Sequence, residues 1–118
     1  ESRWYMNRVA PWDQIDAEDT VYFKDSGEPV TLKSRVAKVL QFSELNKEKA
    51  AQILEKHGSN IVMAPSKENI NWCAKRNYCI LVFLDDPQEV EPFKIDKTGY
   101  GNACAWLVTS DINNLKIR

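Results

Sequence analysis

Two short stretches carry residue types that can do chemistry together. In "YFKDSGEP" the ammonium of Lys24 stands two positions from the hydroxyl of Ser26, and Gly27 exposes backbone amides in the turn. Such a combination can cradle an anion such as phosphate, although the same letters also describe an ordinary solvated hairpin turn. In "PFKIDKTGYGNACAW", Lys94, Lys97, Tyr100, Asn102 and Trp106 interleave cations, aromatics and an amide. Aromatic faces stack bases, lysines meet phosphates and an amide reads a base edge, so this is the composition of a nucleotide-contacting loop. The alternative is that Phe93, Tyr100 and Trp106 are core residues and the lysines are merely solvated.

A third stretch is the opening "ESRWYMNR", which crowds Glu1, Arg3, Trp4 and Tyr5 into five positions. Glu1 and Arg3 share one side of a strand by its period of two. Arg3 can meet a phosphate or an acidic edge, and Trp4 and Trp106 can stack or line a pocket. Glu1 either orients Arg3 or accepts from a base amine; a buried Glu–Arg pair with a purely structural role fits the spacing equally well.

Established catalytic signatures are absent. There is no G-x-S-x-G, no H-E-x-x-H and no glycine-rich phosphate loop. Only one histidine, His57, is present, so an enzyme would have to recruit other groups for proton transfer, Lys24 and Tyr22 first among them. Cys73, Cys79 and Cys104 are odd in number and lack C-x-x-C spacing, which argues for buried thiols rather than disulfides or zinc ligands. No metal and no cofactor is expected.

The elements that must hold these residues follow from size and patterning. The chain's 118 residues suit a single domain, expected over 1–118, and its net charge of -1 requires any nucleic-acid surface to be a local cluster of cations. The longest apolar run, "YCILVFL", is too short to cross a membrane as a helix, so no membrane partner is expected and the cytoplasm is the default location. Val21 to Lys24 and Val30 to Phe42 read as a hairpin about "DSGEP", with the alternation slipping at Ala37 as a bulge would make it. Residues 46–57 form the main helix, capped by Asn46 and stopped by Gly58, and a short helical turn falls near Lys67 to Trp72. Asn77 to Leu84 is a buried strand ended by "DDP", and Ala103 to Thr109 is a last strand, with Ser110 or Asp111 capping a terminal turn. The expected class is α+β: a small mixed barrel of about five strands with one flanking helix.

"ESRW", "DTVYFKDSGEPV", "VAKVLQF", "NYCILVFL", "VEPF" and "GYGNACAW", in that order, resemble the ASCH domains, a branch of the PUA-like β-barrel superfamily. Glu1 and Arg3 match the last two fixed positions of the family motif G-x-K-x-x-E-x-R. The resemblance implies that the motif's glycine and lysine, with a first strand or turn, precede Glu1. It also implies a cleft beside the motif that binds RNA or nucleotides, with hydrolytic activity in some members. Relatives with nucleoside amidohydrolase activity carry threonine where this chain has Glu1, which argues against that activity. The expectation is an RNA or modified-nucleotide binding module with a basic, aromatic-lined cleft; the alternative is a hydrolase acting on RNA or a nucleoside.

Overall fold

A computed structural model describes residues 1–97 and 106–117. Four antiparallel strands form one sheet in the order β1-β4-β3-β2: β1 (Ser2–Tyr5), β2 (Thr20–Phe23), β3 (Val30–Ser43) and β4 (Tyr78–Phe93). The hairpin about "DSGEP" is present, with Val21 opposite Ser34 and Gly27 at a φ of 78° that a residue without a Cβ adopts freely. The slip at Ala37 is also present: Val36 pairs with Leu84 and Lys38 with Phe83, so Ala37 is the extra residue of a bulge.

Four expectations need correction. First, the sheet is open: β1 and β2 lie at opposite edges, and a closed five-strand barrel is not formed by the described residues. Second, residues 106–109 carry no strand, and 103–105 lie outside the described residues. Their β-forming composition yields to local side-chain bonding: Thr109 Oγ1 donates to Asp111 O (3.0 Å), and Asp111 Oδ1 accepts from Asn113 N–H (2.9 Å), capping a 3-10 turn over Ile112–Asn114. Among the described residues of the C-terminal part, Lys116 forms an isolated antiparallel bridge with Ile95, through Asp96 N–H to Leu115 O (2.7 Å) and Ile117 N–H to Lys94 O (2.9 Å).

Third, β4 does not stop at "DDP". Arg35 pairs with Asp85 and Lys33 with Gln88, so β4 carries one extra residue there; Asp86, at φ 50°, turns the chain through the bulge. Pro87, which has no N–H to give, falls within this register shift and has no partner on β3. Arg35 reinforces the pairing through Nη2 to Asp85 (2.7 Å) and Nη1 to Glu18 (2.6 Å).

Fourth, the main helix α1 runs over Lys47–Ile61, past Gly58. Asn46 caps it as expected, accepting from Lys49 N–H at 2.8 Å. The left-handed residue at its end is Val62, φ 58°, and Gly58 serves another purpose: a Cβ there would collide with the carbonyl oxygen of Met63. The helical turn near 67–72 is a full second helix, α2 (Lys67–Ala74), capped by Ser66, whose Oγ accepts from Asn69 N–H.

The two faces of the sheet have different covers. Cys79 and Leu81 pack against Ile53 of α1, with Leu40, Phe42 and Phe83 alongside, while Ala50, Leu54 and Cys73 join the two helices. The alternate residues of β4, Ile80 and Val82, pack on the other face with Val21, Val36 and Ile15, and Trp12 and Trp106 close over them. This second face carries the cleft.

Candidate functional site

Arg3 opens the site because the pleat gives it no choice. It is paired with Ile80, whereas Trp4 is paired with Cys79, so their side chains leave opposite faces. The Arg3 guanidinium carbon lies 5.8 Å from the centre of the Trp106 ring, and Nη2 lies 3.4 Å from a carboxylate oxygen of Glu1. The Glu1–Arg3 pair sits at a rim rather than in the core: the two side chains are 37% and 38% exposed. Arg3 Nε is nevertheless buried, and no acceptor reaches it among the described residues. A buried cationic donor left without an acceptor costs upwards of about 1–3 kcal/mol, which an acceptor brought by a ligand would relieve.

Around this pair lies a cleft of about 1330 Å³. The β2–β3 turn contributes Lys24 and Ser26, β2 contributes Tyr22, the segment after β4 contributes Lys94 and Lys97, and Trp106 stands among them. Thus Glu1, Arg3, Tyr22, Lys24, Ser26, Lys94, Lys97 and Trp106, far apart in sequence, line one concavity. Tyr100 and Asn102 lie outside the described residues.

Trp4 does not belong to the cleft. It packs against Leu54, Cys73 and Ile53 under the helices, a structural position. The period of two that joins Glu1 to Arg3 already separates Arg3 from Trp4, and that signal was legible in the sequence.

The cleft is not basic. Its described lining holds four cations, Arg3, Lys24, Lys94 and Lys97, and six carboxylates, Glu1, Glu18, Asp19, Glu28, Asp96 and Asp111. Glu1 was a candidate from the sequence; the other five, Glu18, Asp19, Glu28, Asp96 and Asp111, escaped the sequence reading because nothing in local spacing distinguishes an acid facing a cleft from one facing solvent.

Of the two groups that an enzyme would recruit, Lys24 Nζ donates to the carbonyl of Asp25 (2.9 Å), and the Tyr22 ring packs edge-on against Phe93 with centroids 5.9 Å apart. No hydrogen bond joins them. The described residues contain no group of three or more His, Cys, Asp and Glu side chains placed to hold a metal ion. Nor do they contain a helix long and apolar enough to cross a membrane.

Comparison with protein-family models, curated proteins and solved structures finds no match. The functional reading therefore rests on the cleft's own chemistry.

Proposed function

We propose that the cleft binds a single nucleotide or modified nucleoside, with Arg3 and Trp106 as the recognition pair. The carrying observation is the Arg3 guanidinium, poised 5.8 Å from the Trp106 ring with its Nε buried and lacking an acceptor among the described residues. A guanidinium beside an indole offers a flat ligand both a stacking partner and a fork of donors for phosphate or carbonyl oxygens. Lys24 and Ser26 in the turn, and Lys94 and Lys97 across the cleft, supply further donors.

Charge balance favours a mononucleotide over an RNA strand in this cleft. A strand needs a continuous row of cations for its phosphates, and six carboxylates against four cations oppose one. One phosphate needs only the local donors, and the carboxylates suit base amines and ribose hydroxyls. The resemblance to ASCH domains is part of the same proposal, carried by Glu1 and Arg3 at the cleft's rim.

Isothermal titration calorimetry with the four ribonucleoside 5′-monophosphates and base-methylated nucleosides tests it. Saturable one-to-one binding by at least one probe, weakened by Arg3→Ala, is the expected result. Absence of saturable binding by every probe overturns it, and conversion of a bound probe to product would shift the reading to a hydrolase.

A further inference from the structure

We propose a second contact surface, for single-stranded nucleic acid, at the end of the sheet where α2 hands over to β4. Two guanidinium–aromatic pairs flank this junction. Arg76 places its guanidinium carbon 4.2 Å from the centre of the Trp72 ring, and Arg8 places its own 5.4 Å from that of Tyr78. Asn77, between Arg76 and Tyr78, is fixed by its N–H to Tyr5 O (2.9 Å) and its Nδ2 to Met6 O (2.8 Å). The pairs serve opposite faces of the sheet, Trp72 edge-on to Trp4 beneath the helices and Tyr78 edge-on to Trp12 (5.1 Å) on the other face, so one nucleic-acid strand reaches both by crossing the end of the sheet between Arg76 and Tyr78.

Trp72 is 44% exposed, yet its ring is held edge-on against Trp4 at 6.5 Å. An exposed indole with a fixed orientation is a stacking platform, and a guanidinium plane stacks bases as an aromatic does. Arg8, Arg76 and the neighbouring exposed Lys75 make no ion pair among the described residues, unlike Arg35, which is engaged by Glu18 and Asp85. Glu44 stands nearby, beside Leu45, whose N–H meets Asn77 O. Because the whole chain carries a net charge of -1, such a local cluster of cations is what a phosphate backbone would find.

An anionic membrane surface is the competing occupant of this cluster of cations, and the vesicle arm of the test separates the two. This surface also differs from the cleft in residues and in charge, so the two can fail separately.

Fluorescence anisotropy with labelled 12-nucleotide single-stranded RNA and DNA tests the proposal, using wild type, Trp72→Ala, the double variant Arg8→Ala/Arg76→Ala and Arg3→Ala. Circular dichroism melts serve as the control for folding. Expected are salt-sensitive binding by wild type, a tenfold or greater loss in the folded double variant, and a salt slope shallower by about one to two. Arg76→Lys, keeping the charge but losing the plane, should fall between. Arg3→Ala should bind the oligonucleotides as wild type does while losing mononucleotide affinity. Oligonucleotide affinity unchanged in the double variant overturns the proposal, as does binding to phosphatidylserine vesicles without any binding of oligonucleotide.

Discussion

Arg3 and Trp4 are neighbours in sequence and serve opposite faces of the sheet: Arg3 reaches Trp106 over the cleft, while Trp4 is packed beneath the helices. Substitutions should separate accordingly. Arg3→Ala should weaken nucleotide binding tenfold or more, about 1.4 kcal/mol, with little change in melting temperature. Trp4→Ala should destabilise the fold by about 3 kcal/mol and leave the affinity of the folded fraction unchanged. Calorimetric titration and denaturant unfolding of both variants check this.

Gly58 reverses an ordinary expectation. Alanine in a helix interior is normally better than glycine by about 1 kcal/mol. Here a Cβ would run into the Met63 carbonyl, which is backbone and moves only with the end of α1. Gly58→Ala should therefore destabilise by about 1–3 kcal/mol in urea unfolding.

His57 is buried on α1 with its ring edge-on to Phe83 at 5.6 Å. Burial lowers its pKa below the ordinary 6.5, helped by Lys56 and Lys38. The unfolded chain thus binds the proton more readily, so this contribution to stability is full above about pH 6.5 and declines as pH falls through the lowered value. Urea midpoints measured from pH 7.5 to 5 should fall, and His57→Gln should flatten the fall.

Cys73 and Cys79 are both fully buried. Burial pushes the Cys73 thiol up to about 11 and the Cys79 thiol higher still, removing the reactive thiolate at neutral pH. In a Cys104→Ser variant, Ellman's reagent should label neither thiol in the native state and both after denaturation.

Much of the fold was legible because short-range rules decide it. The hairpin about Gly27, the bulge at Ala37 and the Asn46 cap each follow from residues within a few positions of one another. Where the reading failed, a distant partner decided. β4 continues past Pro87 because β3 accommodates its bulge, and α1 passes Gly58 because Met63 folds back upon it. Trp106 and Arg3 were legible as candidates, but their proximity is a property of the sheet face. Of the six carboxylates that give the cleft its mixed charge only Glu1 was legible, since only the assembled fold turns the other five toward one space.

The most direct test of the central claim is the indole N–H resonance of Trp106 in a nitrogen-15 correlation spectrum, assigned with Trp106→Phe and followed during addition of the mononucleotide that binds most tightly. Binding in the cleft predicts a saturable shift of that resonance, reached at tenfold or more higher nucleotide concentration in Arg3→Ala, with the Trp72 indole unmoved. A Trp106 resonance that stays in place at saturating nucleotide would contradict it.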